Sequence, residues 1–260
     1  MEPSSTFKPT LLIVDDNEEI LEFLADDLAD DYEIFAENSV RKALPHLQTE
    51  MVHLVISDIL MPETDGLSFC HMIKSNMEHS HIPVILLTAK NGIPAQIEGL
   101  EHGADAYIEK PFSPEYLQVQ IANLLDNRSR LRSYFSSMPL TTIHSMAQSA
   151  ADTTFLDKLH QIIIQHLDDP RLDVDLLSNK LYISRPTLYR KIKLITDMTP
   201  GELITVTRLK KSAEYILEKK YPIGDIALMV GFNSCTHFGR CFQKQFGVAP
   251  SKYTGVEQLT

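Results

Sequence analysis

The 260-residue sequence predicts an α/β half followed by an all-α half. Two observations predict it. Between residues 11 and 126, short apolar runs alternate with amphipathic stretches of helical period, the pattern of a parallel sheet covered on both faces. Beyond Asp152 the period is helical throughout, and the pattern repeats at a shift of 50 residues. At about 100–200 residues per domain, the length fits two domains.

The first half reads as five strands and five helices. Leu11-Leu12-Ile13-Val14 is unbroken and apolar, as a strand buried on both faces is. Glu18–Ala29 then carries Ile20, Leu21, Leu24 and Leu28 at helical spacing. Ile34-Phe35-Ala36 is a second strand, and Ser39 is expected to cap a helix over Val40–Leu47. Leu54-Val55-Ile56 is a third strand; Pro62 and Asp65-Gly66 turn into a helix from Leu67 to Ser75. Pro83–Leu87 is a fourth strand, Ile93–Glu101 a helix closed by Gly103, and Ala106-Tyr107-Ile108 a fifth strand. Pro114 opens a last helix with Tyr116, Leu117, Ile121, Leu124 and Leu125 inward.

Sheets of this kind bind ligands outside the carboxyl ends of their strands. There the sequence puts Asp15-Asp16 after the first strand and Ser57-Asp58 after the third. Thr88 follows the fourth, and Glu109-Lys110-Pro111 the fifth. Clustered carboxylates repel and need a cation, and an all-oxygen site with open positions suits Mg²⁺. A carboxylate in such a site can take up a phosphoryl group as an aspartyl phosphate. The metal and Lys110 would spread the charge on the transferred oxygens, with the Thr88 hydroxyl on another. No Gly-rich loop follows the first strand, so a P-loop or dinucleotide site is not expected. Singly, Asp15-Asp16 reads as a helix cap, Thr88 as a strand-end hydroxyl and Tyr107 as a core aromatic; their joint placement outweighs these readings. His79 and His81, ahead of Pro83, read as solvated loop histidines, and Cys70 as a packing thiol.

The segments LLIVDDN, VISDILMPETDG, ILLTAK and GADAYIEKPF resemble the response-regulator receiver family over residues 11–126. The resemblance implies a doubly wound, flavodoxin-like parallel sheet of five strands, with Asp58 as phosphoacceptor. It implies Asp16 and Asp58 as direct Mg²⁺ ligands, Asp15 mainly through water, and the backbone carbonyl of Leu60 as a further ligand. It also implies Lys110 paired with the phosphoryl group ahead of a cis peptide to Pro111. Thr88 and Tyr107 would be the switch pair, the hydroxyl moving toward phosphate and the ring turning inward.

Residues 127–151 read as a joint, with Arg128, Arg130 and Arg132 extending the last helix of the first half. The domain boundaries expected are a tail over residues 1–10, a receiver over 11–127, a linker over 128–151 and a second domain over 152–260. Phe155, Leu159, Ile162, Ile163 and Leu167 form the face of a first helix, stopped near Asp168-Asp169-Pro170. The 50-residue shift then superposes Asp175 on Asp225, Tyr182 on Phe232, Ser184 on Ser234, Leu188 on Phe238, Arg190 on Arg240, Ile192 on Phe242 and Pro200 on Pro250. Each copy is a short helix, a turn, a Ser able to cap and a second helix: a helix-turn-helix, twice. Gly201–Lys220 forms one long helix between them.

At about 100° per residue, Leu188, Ile192 and Ile195 share the inner face of the first such helix, with Pro186, Arg190 and Lys193 opposite. In the second, Phe238, Cys241 and Phe242 lie inside and Thr236, Arg240 and Gln243 outside. Both outer faces centre on an arginine, the commonest reader of guanine. Two such helices on one rigid element would enter successive major grooves about 34 Å apart. The segments SRPTLYRKIKLITDMTPGELI and VGFNSCTHFGRCFQKQFGVAPSKY resemble the AraC-type DNA-binding family over residues 154–253. The resemblance implies base contacts near Pro186, Tyr189, Arg190, Thr236, His237 and Arg240. It gives Arg185, Lys191, Lys193, Arg208 and Lys244 as phosphate contacts. Leu181-Tyr182 stands where that family usually has a Gly, and Cys235-Thr236-His237 is an unusual lead into the second helix.

Charge separates the halves. The chain's formal charge is −11, which taken whole argues against nucleic acid. Residues 1–138 hold 9 basic and 23 acidic side chains, a net −14, whereas residues 180–260 hold 13 and 6, a net +7. Three cysteines without a Cys-x-x-Cys argue for a reducing cytoplasm, and neither a signal peptide nor a membrane span is expected. Together these readings describe a two-component transcriptional regulator that is not itself an enzyme. Its expected partners are a histidine kinase, in a separate chain or the same hybrid chain, and double-stranded DNA with repeated half-sites. Phosphorylation is expected to favour a homodimer through a receiver face including Ala95–Glu101 and Glu115–Asn123. A phosphorylation-independent scaffold and an aspartyl-nucleophile phosphohydrolase are the competing classes. The second lacks its expected Asp-x-Asp after the first strand and a second catalytic acid.

Overall fold

Strand β1 (Thr10–Val14) is followed by helix α1 (Glu18–Leu28), β2 (Glu33–Glu37), α2 (Val40–Thr49), β3 (Val52–Asp58) and α3 (Gly66–Ser75). Then come β4 (Val84–Thr88), β5 (Ala106–Glu109) and α4 (Pro114–Ser137). The computed structural model describes residues 8–89, 102–137 and 149–254. The helix expected over Ile93–Glu101 lies outside them. The chain divides into two units, Met1–Arg128 and Ser129–Thr260.

In the first unit all strand pairs are parallel, in the order β2-β1-β3-β4-β5. The order explains the composition. β1 and β4 are covered on both faces and buried along their whole length, which is why they read as unbroken apolar runs. Edge strand β2 is half-exposed, its three apolar residues Ile34-Phe35-Ala36 flanked by Glu33 and Glu37. One face of the sheet packs Leu12, Val14, Val55 and Leu86 against Val40, Ala43, Leu47, Phe69 and Ile73 of α2 and α3. The other packs Leu11, Ile13, Ile56 and Leu87 against Leu21, Leu24 and Leu28 of α1 and Leu117 and Ile121 of α4. Cys70 is buried in the first of these cores, and burial lifts its thiol to about 11.

Three expectations are corrected. Tyr116 is exposed rather than inward, so the buried stripe of α4 starts at Leu117. His81 is buried, not solvated, because it directly precedes Ile82, which joins the core ahead of β4. Ser39 sits at the N-cap of α2 but its side chain makes no capping bond. Asn17 and Asp65 do cap α1 and α3, each accepting a backbone N–H.

The second unit contains α5 (Ala150–Gln165), α6 (Val174–Leu181), α7 (Arg185–Thr196), α8 (Pro200–Glu218), α9 (Ile223–Met229) and α10 (Cys235–Phe246), then a 3₁₀ turn at Pro250–Lys252. The 50-residue register extends further than two helix-turn-helix pairs. α5 and α8 start 50 residues apart, as do α7 and α10. Ser149 and Thr199 cap α5 and α8 through the N–H of Asp152 and Glu202; Ser184 and Ser234 cap α7 and α10. Leu156, Leu159 and Ile163 are buried on α5, and Val206, Leu209 and Ala213 on α8. The repeated unit is therefore three helices, and the long helix between the motifs is the first helix of the second copy. Phe238 and Phe242 of α10 pack with Leu209, Ala213, Ile226 and Val230 in the second copy's core.

The copies differ at the turn. Gly231 takes the left-handed conformation in the second, at φ 76°, whereas Tyr182 takes it in the first, at φ 57° and 96% exposed. A tyrosine pays a steric cost there that glycine does not, about 1–2 kcal/mol, offset partly by glycine's larger entropy loss on folding. Tyr182→Gly is therefore expected to stabilise the second unit by about 0.5–1 kcal/mol in urea unfolding.

Candidate functional site

β1 and β3 are neighbours in the sheet, so the side chains just beyond their carboxyl ends meet. Asp15 and Asp58 are both buried there. β5 lies one strand further out, beyond β4, and Lys110 follows it; its N–H bonds the carbonyl of Thr88. The flexible lysine stem spans this gap. Lys110 Nζ donates to Asp15 Oδ2 at 2.7 Å and to Asp58 Oδ1 at 2.6 Å. The other Asp58 oxygen accepts the Leu60 N–H at 2.7 Å, and Asp15 Oδ1 accepts the Asn17 N–H at 2.9 Å. Both carboxylates are thus held by directed donors.

The electrostatics follow. Burial raises the pKa of Asp58, with Asp15 adding to the shift and Lys110 and the Leu60 N–H opposing it. Burial alone would lower that of Lys110, but the bonds and charges of Asp15 and Asp58 prevail and raise it, keeping the ammonium charged. Asp16 is exposed beside this group. Among the described residues no three His, Cys, Asp or Glu side chains are set to hold a metal ion. The three expected carboxylates do not form a ready cage, because the Lys110 ammonium stands between two of them. The donor chemistry itself, carboxylate and backbone oxygens at a solvent edge, fits a hard cation.

The expected switch residues are beside this edge. Thr88 is fully buried at the end of β4. Tyr107 packs against the core, and its buried hydroxyl has no hydrogen-bond partner among the described residues. The Lys110–Pro111 peptide is cis. Gly66 is a residue whose role the sequence reading missed, although its Asp-Gly turn was noted. A Cβ at Gly66 would lie 2.0 Å from the carbonyl oxygen of Asp58, so only glycine lets α3 start against the Asp58 backbone.

In the second unit, Thr236, His237, Arg240, Gln243 and Lys244 are all exposed on α10. On α7, Pro186 and Tyr189 are exposed and Arg190 and Lys193 half-exposed. Two positions expected there are partly engaged: Arg185 pairs with Asp175 at 3.2 Å, and Lys193 with Asp197 at 3.0 Å, both near the surface. Two expected phosphate contacts are corrected. Lys191 is buried against α5, its ammonium 2.9 Å from Asp152 Oδ1. Arg208 is half-buried and donates to the Asp169 carbonyl, under a turn where a Cβ on Gly231 would come within 2.7 Å of its guanidinium. Among the described residues no helix is long and apolar enough to cross a membrane.

The family described as response regulator receiver domain matches residues 11–122, and a helix-turn-helix domain family matches residues 177–255. A relative called Histidine kinase P4, from Formosa agariphila, is 39% identical over 246 residues, which is 95% of this chain and 18% of that protein. Response regulator Rre1 of Synechocystis is 35% identical over 120 residues, 45% of this chain and 51% of that one. The chain thus spans between about a fifth and a half of these relatives. Among solved structures, the BeF3 Activated DrrB Receiver Domain is 29% identical with a TM-score of 0.43, covering 46% of this chain and 99% of its own.

The close approach at Gly66 is testable without any ligand. Gly66→Ala has to displace the Asp58 backbone or the start of α3, an overpacking cost of about 1–3 kcal/mol. The expected result is a lower urea midpoint for the first unit, with the second unit's transition unmoved.

Proposed function

We propose, from the premise that the chain joins a response regulator receiver domain to an AraC-type helix-turn-helix domain, that it is a phosphorylation-controlled, sequence-specific transcriptional regulator. The observation that carries this reading is the Lys110 ammonium bridging Asp15 and Asp58 at the strand ends. An oriented carboxylate beside a fixed cation is what a phosphoacceptor needs.

In this reading Asp58 forms a P–O bond as the P–N bond to a phosphohistidine donor breaks, and the imidazole leaves. Lys110 exchanges its carboxylate partner for the phosphoryl oxygens, and the Leu60 N–H keeps the carboxylate turned outward. Thr88 offers its hydroxyl to the new anion, and Tyr107 fills the space beneath. Asp15, Asp16, Asp58 and the Leu60 carbonyl would hold Mg²⁺, which when bound neutralises charge on the transferred oxygens. A relative named a histidine kinase aligns with 95% of this chain, which supports such a kinase as donor, in the same chain or a separate one. The chain itself supplies no enzyme beyond this phosphoryl chemistry, and its setting is a bacterial cytoplasm.

The readout in this proposal is homodimerisation and DNA binding. Tyr116 and Val119, both exposed on α4 within the predicted face, offer apolar surface for a second copy; Ala95–Glu101 lies outside the described residues. Arg240, with Thr236, His237, Gln243 and Lys244, reads one half-site from α10. Pro186, Tyr189 and Arg190, with Arg185 and Lys193, read the other from α7. Phosphorylation shifts the population toward paired chains and raises apparent affinity through effective concentration.

Two measurements test this. A small-molecule phosphodonor with Mg²⁺ should add a single labile phosphate by intact mass and raise dimer content in sedimentation; Asp58→Asn should abolish both. Labelling that persists in that variant rejects the assignment. Arg240→Ala should cost about 1–3 kcal/mol of specific binding, the value of one bidentate base contact, and an unchanged footprint would deny α10 a reading role.

A further inference from the structure

We propose that Asp152 and Lys191 are positioning residues for DNA reading: their buried ion pair sets the rotation and height of α7 by tying it to α5. The inference rests on α7 being a DNA-reading helix.

The pair is out of solvent altogether, with side chains 2% and 1% exposed. The Lys191 ammonium sits 2.9 Å from Asp152 Oδ1 and 4.8 Å from the centre of the Phe155 ring, one turn along α5. The Asp152 backbone is anchored, since its N–H donates to the capping Ser149 hydroxyl at 3.0 Å. Lys191 lies directly after Arg190 and two residues before Lys193 in the same helix, so its position determines theirs.

The internal repeat supplies the control. In the 50-residue register, Asp152 corresponds to Glu202 and Lys191 to Cys241. Glu202 is exposed and completes the capping box of α8 with Thr199. Cys241 lies 3.4 Å from His237 on its own helix. The second copy therefore builds the same three helices without any such pair. The three-helix arrangement as such does not demand one, and the pair is particular to the first copy.

Energetics point the same way. A buried ion pair contributes little net stability over apolar residues of similar volume, because desolvating both charges cancels most of their attraction. It does contribute direction. Leu188, Ile192 and Ile195 present a smooth aliphatic stripe, which tolerates small slides and rotations of one helix on another. A charge-assisted hydrogen bond to one carboxylate does not. The pair therefore specifies where α7 lies more than how firmly it is held, and the half-site read by Arg190 inherits that setting.

The test uses the full chain and a duplex that the wild-type chain enriches from a random pool. Urea unfolding and hydroxyl-radical footprinting are compared for wild type, Asp152→Leu/Lys191→Met and Asp152→Asn. The double variant should unfold at the wild-type midpoint or above it, yet bind this duplex about tenfold more weakly. Its footprint should fade over one half-site, the one that Arg240→Ala leaves protected. Asp152→Asn keeps the volume and an acceptor, so it should remain folded and show a smaller loss over the same half-site. A folded double variant, or a folded Asn variant, with wild-type affinity and both footprints would overturn the positioning role. A wild-type chain that enriches no duplex would overturn the DNA-reading premise instead.

Discussion

Two acidic side chains buried side by side at adjacent strand ends are unstable without a cation, and this constraint organises the first unit. The cation comes from Lys110, which does not belong to a neighbouring strand. β4 intervenes, so the lysine stem crosses the end of β4 to reach β3 and β1. That crossing requires the strand order β2-β1-β3-β4-β5, the pairing of the Lys110 N–H with Thr88, and a compact residue where β4 ends. At the same strand end Gly66 lets α3 begin directly against the Asp58 backbone. The same ammonium that stabilises the resting edge is the group a phosphoryl anion would claim, so the resting structure and the proposed chemistry share one cation.

The second unit rests on duplication. Each copy supplies a supporting helix, a short helix, a turn and a presenting helix, capped at matched positions. The copies then diverge where their neighbours differ. The first uses a strained Tyr182 in its turn and an internal ion pair; the second uses Gly231, with Arg208 threaded beneath the turn against the Asp169 carbonyl. Repetition fixes the scaffold, and these departures from it set the two copies apart.

The sheet and its loaded edge were legible in sequence because doubly covered strands leave unbroken apolar runs, and because the chemistry follows each run immediately. The errors have physical causes too. Lys191 lies only about 60° from the Leu188–Ile192–Ile195 stripe on a helical wheel, so its angle allowed burial; its residue type suggested the opposite. The partner that makes burial tolerable, Asp152, is 39 residues away and leaves no local signal. Arg208 was misread for the same reason, since α8 is enclosed on more sides than an amphipathic pattern describes. The first helix of the repeat escaped notice because α5 and α8 match in burial more than in identity: Leu159 and Leu209 agree, while Phe155 stands opposite Thr205. Tyr116 and His81 show that helix entry points and loop ends are set by how neighbouring elements fold over them, which periodicity does not encode.

The two presenting helices are not copies in their outward residues. Pro186, Tyr189 and Arg190 stand on one, and Thr236, His237 and Arg240 on the other. If these helices read DNA as proposed, two unlike reading heads follow one another in a single chain, in contrast to the identical heads that a two-fold axis places on a palindrome. A duplex bound in this manner has a distinguishable left and right. In the proposed function the chain would therefore register orientation as well as sequence: turning the same site end for end exchanges which flank meets α7 and which meets α10.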